Sequence, residues 1–259
     1  AMHCVVKGSA AVLDTLPKGF ALTAGQTKDF KSADGATLKV QAPGWADAIR
    51  INRIAKASDR GERLEVRQPD AEVGFPTKTG SLIIGGAGKD VITGGFGWDI
   101  VDGGAGDDLV KTGNGRDVLS GGLGSDELWG GFGWNTYRSE KDGDKDLLVI
   151  RSDQWIKNPR LNNTSGNNVD GSKADVIEEL DAIDRIIIQG VTTAEISVRE
   201  NATTPAGVNG IGIYAKDVLE ALYVGKDLTL HQLHGMVSGD NSMAAINQTI
   251  PSYGGNWMI

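Results

Sequence analysis

Cysteine is nearly missing from this 259-residue chain. Cys4 stands alone, so no intrachain disulfide can staple the fold, and at the edge of the sequence it reads as incidental. Histidine is almost as scarce: His3, His231 and His234 are all there are. No HExxH motif is present, which excludes the usual zinc-protease site, and no GxSxG elbow, which excludes the usual lipase nucleophile. No apolar run approaches the ~18 residues of a membrane-spanning helix. The opening AMHCVVKGS lacks the charged-then-apolar plan of a signal peptide. Ala1 and Met2 read as an expression remnant, so the expectation is a piece of a longer protein. Positive charge is in deficit, 26 Lys and Arg against 34 Asp and Glu, giving a net charge of -8. That disfavours nucleic acid or an anionic membrane as the main partner and suits a protein that collects cations.

Glycine is in excess, 37 residues, about twice its usual share. With only 7 prolines and no every-third-residue period, collagen is excluded. The glycines fall instead into blocks of nine from Gly85 to Arg138: GGAGKDVIT, GGFGWDIVD, GGAGDDLVK, TGNGRDVLS, GGLGSDELW and GGFGWNTYR. The second and fourth places are glycine in every block. The sixth is Asp90, Asp99, Asp108, Asp117, Asp126 and then Asn135. The eighth is apolar or aromatic: Ile92, Val101, Val110, Leu119, Leu128 and Tyr137. Glycines permit a tight bend lined by carbonyls, Asp supplies a hard anionic oxygen, and the last three residues form a short strand with an inward eighth side chain. A flexible glycine linker would not hold acidic and apolar places in register.

This array is similar to the RTX family, the hemolysin-type calcium-binding repeats of pattern GGxGxDxUx, over roughly residues 80 to 150. The resemblance implies an all-β fold, a right-handed parallel β-roll with two blocks per turn, so that each block stacks on the one eighteen residues away. Asp90, Asp108 and Asp126 then line one edge, and Asp99, Asp117 and Asn135 the other. It implies Ca2+ between stacked bends, about four ions with more conceivable at the C-terminal edge. The carbonyls of Gly86, Gly88, Gly95, Gly97, Gly104, Gly106, Gly113, Gly115, Gly122 and Gly124 would be further ligands. Asn135 carries no charge, so its site is expected to be the weakest. Thr112 should perturb its bend without destroying it, and Ser81 stands where calcium is expected to stop. After the array, SEKDGDKD holds Asp142, Asp144 and Asp146 without the glycines. It reads as a solvated loop ending the roll, an added ion being the alternative.

Residues 1–79 are expected to be a β-rich N-terminal cap, with TLKVQA, AIRINRIAKA and ERLEVRQ as strands. Residues 80–150 form the roll and 151–240 a β-rich C-terminal cap. Within that cap, ADVIEELDAIDRIIIQG resembles the closing segment of secreted RTX proteases, with Asp175, Asp181 and Asp184 near a turn and a strand from Arg185 to Gln189. Two alternatives stand: one of these acids binds a further calcium, or they cap a short helix over 176–180. Ile211, Ile213, Ala215 and Leu219, Ala221, Tyr223 alternate around Lys216-Asp217 and read as a β-hairpin, with a helix over 215–223 competing. Residues 241–259, ending Trp257-Met258-Ile259, resemble an uncleaved type I secretion signal.

His231 and His234 make an HxxH pair without a third ligand nearby in sequence, favouring a surface pair over a zinc site. Phe96, Trp98, Phe132 and Trp134 occupy outward places on one edge, around Asn114 and Arg116. Either a flanking segment covers them, the favoured reading, or they form a strip for a glycan or protein partner. The sequence thus points to a non-enzymatic calcium-binding module of a bacterial RTX protein, at the cell surface or outside the cell, that folds when it meets calcium. The rival readings are a C-terminal module of an enzyme whose catalytic domain lies upstream, or a glycan-binding surface module.

Overall fold

A computed structural model describes residues 6–8, 20–23, 25–31, 33, 35, 37–41, 49–56, 60–65, 79–152, 168 and 170–242. His3, Cys4 and the tail 243–259 lie outside the described residues. The fold is all-β. Its centre is a coil in which alternate nine-residue blocks feed opposite parallel walls.

One wall has ten strands: Phe20–Leu22, Ile49–Lys56, Thr79–Ile84, Ile100–Ala105, Val118–Leu123, Thr136–Arg138, Asp175–Glu179, Val218–Tyr223, Asn209–Ala215 and Ile196–Thr203. The facing wall has seven: Arg63–Glu65, Val91–Thr93, Leu109–Lys111, Glu127–Trp129, Leu147–Arg151, Arg185–Gln189 and Val237–Asp240. A third ladder joins the bends of one edge, Phe96–Gly97 to Asn114–Gly115 to Phe132–Gly133. Within the array Val101 pairs with Leu119 and Val110 with Leu128, the eighteen-residue register expected from two blocks per turn. The ladders run on well past the array. Val176 pairs in parallel with Thr136 on one side and Leu222 on the other, and Ile186 pairs with Leu148 and Val237.

The eighth place of each block points inward because successive strand side chains alternate between faces. Ile92, Val101, Val110, Leu119, Leu128 and Tyr137 are almost wholly buried, and Leu148, Ile177, Ile186 and Tyr223 extend the same core. Leu119→Ala is expected to cost about 2–5 kcal/mol in urea unfolding at saturating calcium, because neighbouring turns cannot collapse into the gap. A loss under 1 kcal/mol would mean the interior is not close-packed there.

One flank and the C-terminal end are covered differently. Leu38 and Val40 of a small three-stranded sheet cluster with Leu82, Ile84, Ile100 and Val118 on the outer face of the ten-stranded wall. At the other end Asn209–Ala215 and Val218–Tyr223 form the antiparallel hairpin read from the sequence. Lys216 and Asp217 take φ of 49° and 65°, the left-handed turn that suits strand twist. The helix Leu230–Met236 buries Leu233 and Met236 in the core. Thr229 caps it, accepting the Gln232 amide while the Gln232 side chain accepts the Thr229 N–H at 3.0 Å. Asp175–Glu179 is a strand, against the helical alternative, because Thr136–Arg138 and Val218–Tyr223 pair with it on both sides.

Candidate metal centre

Each block ends its bend on the sixth residue, immediately before a wall strand, so each edge receives one such residue per turn. On the edge leading into the seven-stranded wall, the Asp90 N–H donates to Asp108 Oδ1 (2.7 Å) and the Asp108 N–H to Asp126 Oδ1 (2.8 Å). On the other edge the Asp99 N–H donates to Asp117 Oδ1 (2.8 Å), and the Asp117 N–H to Asn135 Oδ1 (3.1 Å). All six side chains are buried. The two rows expected from the spacing are therefore both present.

The rows also extend beyond the nonapeptides. The Asp126 N–H donates to Asp146 Oδ1, and the Asp146 N–H to Asp184 Oδ1, at 2.8 and 3.0 Å. On the second edge the Asn135 N–H donates to Asp175 Oδ1 (2.6 Å), and Ser81 begins the row by donating its N–H to Asp99 Oδ1 (2.8 Å). Asp146 is thus interior, while Asp144 in the same loop is exposed. The loop also caps the last glycine bend on the Asp90 edge: Asp142 Oδ2 accepts the Gly124 N–H and Glu140 Oε2 the Gly122 N–H. One signal could have revealed the extension, an acid placed just ahead of each apolar strand.

The second carboxylate oxygens divide the acids. Asp90 Oδ2 accepts the Gly86 N–H (2.8 Å) and Asp99 Oδ2 the Gly95 N–H (3.1 Å). Ser139 Oγ contacts Asp146 Oδ2 and Asp184 Oδ2 at 2.6 and 2.8 Å. Asp108, Asp117 and Asp126 each leave Oδ2 buried with no hydrogen bond. A buried carboxylate oxygen without a donor or cation is costly. Burial accordingly pushes Asp108 up to about 7, the Asp90 amide opposing and the Asp90 charge adding to it. Burial takes Asp126 to about 8, opposed by the Asp108 amide and reinforced by the Asp146 and Asp108 charges. Asp117 is raised by burial and then by the Asp99 charge.

Backbone carbonyls stack in the same bends. A methyl on Gly104, Gly115, Gly122 or Gly133 would overlap the carbonyl oxygen of Gly86, Gly97, Gly104 or Gly115 respectively, one turn back. The Gly86 carbonyl also accepts the Ala105 N–H and the Gly113 carbonyl the Phe132 N–H, both at 2.9 Å, each leaving one lone pair. Thr112 keeps its bend by donating Oγ–H to the Gly130 carbonyl (3.2 Å). Among the described residues no three Asp, Glu, His or Cys side chains converge on one point. An ion between turns would therefore draw on single-file carboxylates and carbonyls. This all-oxygen set fits a hard cation such as Ca2+.

The aromatic places are largely covered. Trp98 is buried against Leu38, Val40 and Leu82 in the outer cluster, and the Arg116 guanidinium lies 5.7 Å from the Trp98 ring and 4.5 Å from that of Trp134. The Arg151 guanidinium lies over Phe132 at 3.3 Å. Phe96 is placed by its backbone pairing with Asn114, and its side chain is outside the described set. His231 and His234 are exposed on Leu230–Met236.

The geometry defines a stacked repeat array with two files of buried acids. Residues 81–110 and 111–145 match the RTX calcium-binding nonapeptide repeat, four copies. The array is thus of the RTX type. Neither the curated proteins nor the solved structures contain a match to the chain. Among the described residues no helix is long and apolar enough to cross a membrane.

Proposed function

We propose that the protein is a non-enzymatic calcium-binding module of a secreted or cell-surface bacterial RTX protein, folded by calcium outside the cell. The observation that carries this is the set of three buried aspartate oxygens, on Asp108, Asp117 and Asp126, that have no donor within a file of like charges. Calcium bound between consecutive bends would sit with the pairs Asp90 and Asp108, Asp108 and Asp126, and Asp99 and Asp117, assisted by the glycine carbonyls of those bends. The fourth pair, Asp117 and Asn135, ends on an amide.

Where calcium is scarce the acids repel one another and the array stays open. At extracellular calcium, modules of this kind bind at ~10⁻⁴–10⁻³ M, which suits a switch on leaving the cell. Titrating the chelated protein with calcium should raise the far-UV β signal, and calorimetry should count about three or four ions. A β signal already complete in strong chelator, with no heat of binding, would remove this reading.

A further inference from the structure

The sixth block breaks the repeat pattern at its sixth and eighth places. Asn135 stands where the rest have Asp, and Tyr137 is the one aromatic residue at an eighth place. The structure connects the two. In four blocks the carboxylate Oδ2 faces the block's own first glycine. A methyl on Gly85, Gly94 or Gly103 would lie 2.8, 2.6 or 2.6 Å from Asp90, Asp99 or Asp108 Oδ2, and Gly121 is closer still to Asp126 Oδ2. In the sixth block the atom facing the first glycine, Gly130, is Asn135 Nδ2, at 2.6 Å by the same measure.

The amide orientation is fixed by its partner. Asn135 Oδ1 accepts the Asp117 N–H, as Asp Oδ1 does in the other blocks, so the NH2 must point into the bend. That NH2 is buried and makes no hydrogen bond. An amide NH2 is a donor with no lone pair to offer a cation. Tyr137 supplies what the carboxylate cannot. Its hydroxyl accepts the Gly130 N–H (2.9 Å) and donates to the Val149 carbonyl on the facing wall (2.9 Å), with the Asp175 carboxylate of the following turn beside it. The side chain is fully buried, so this bond spans the inside of the coil.

We propose that the sixth block ends the array as an ion-free terminator, in which Asn135 withholds an oxygen from the bend and the Tyr137 hydroxyl ties the bend to the opposite wall in place of a cation. This rests on the calcium reading above. Its consequence is that the pair Asp117 and Asn135 adds no ion to the wild-type stoichiometry.

Calorimetric calcium titration of the full chain tests it. Asn135→Ala is expected to bind as many ions as wild type. The double variant Asn135→Asp with Tyr137→Leu restores the residue types of the fifth block and is expected to bind one ion more. Loss of an ion in Asn135→Ala, or no gain in the double variant, overturns the proposal. If Asn135→Ala does not fold by circular dichroism, the double variant decides alone. A wild-type protein that binds no calcium at all would instead bring down the calcium reading, and this one with it.

Discussion

Held in chelator, the protein is expected to lose stability steadily from pH 5 to pH 8, whereas in millimolar calcium it should gain. Free aspartate titrates near 4. In the folded coil Asp146 stands at about 6, Asp108 at about 7 and Asp126 at about 8, burial being the main cause in each case. Folded values above the unfolded one give stability that is complete below about pH 4 and disappears as pH rises through 6 to 8, because the native state binds the extra protons. Three such carboxylates together take up a large part of a typical domain's stability. A bound cation reverses the sign by favouring the ionised form, so binding at neutral pH should also release protons. The far-UV β signal kept in chelator at pH 5, 6.5 and 8, beside urea midpoints in calcium at the same pH values, reads this directly. A chelated protein more stable at pH 8 than at pH 5 would show that the acids are not held as the structure places them.

Gly122→Ala should be among the most damaging single methyls in the array. Gly122 has φ of +102°, where a side chain is strained, and the added methyl would overlap the Gly104 carbonyl of the previous turn. Both penalties act together, and neither neighbour can retreat without opening the parallel ladder between Ile100–Ala105 and Val118–Leu123. The expected loss is on the order of 3 kcal/mol or more. Gly143→Ala separates the two causes. Gly143 has a similar φ of +89° but nothing within 4 Å of the added methyl, so only the backbone strain remains, about 1 kcal/mol. Equal losses from the two variants, by urea unfolding at saturating calcium, would show that the close approach between turns contributes nothing.

The centre of the fold could be read from residues because two kinds of chemistry recur together. Glycine at the second and fourth places marks each bend, and the eighth place marks the inward side chain, so the partners Val101 and Leu119 follow from counting. Beyond Arg138 the count fails. The acid rows continue with steps of 20, 38 and 40 residues through Asp146, Asp184 and Asp175. One acid per turn, with loops of unequal length between, leaves no period to detect. The strand Asp175–Glu179 was open to a helical reading because its own residues do not decide the matter; the strands on both sides of it do. Trp98 and Trp134 hold the same place in their blocks, yet Trp98 is buried and Trp134 is half-buried. Leu38 and Val40, some sixty residues earlier, join the cluster around Trp98, and sequence spacing carries no trace of that contact.

The alternation of blocks between the two walls imposes a parity on the array. Six blocks carry the chain from the ten-stranded wall at Thr79–Ile84 back to that wall at Thr136–Arg138, and the flanking strands are matched to this outcome. One block more or fewer would deliver Leu147–Arg151 to the side where Asp175–Glu179 now pairs, and would exchange the two acid rows. Two blocks more or fewer would leave every downstream residue in its present column. Duplication or loss in units of eighteen residues is therefore the change of length this architecture can absorb, and nine is the one it cannot.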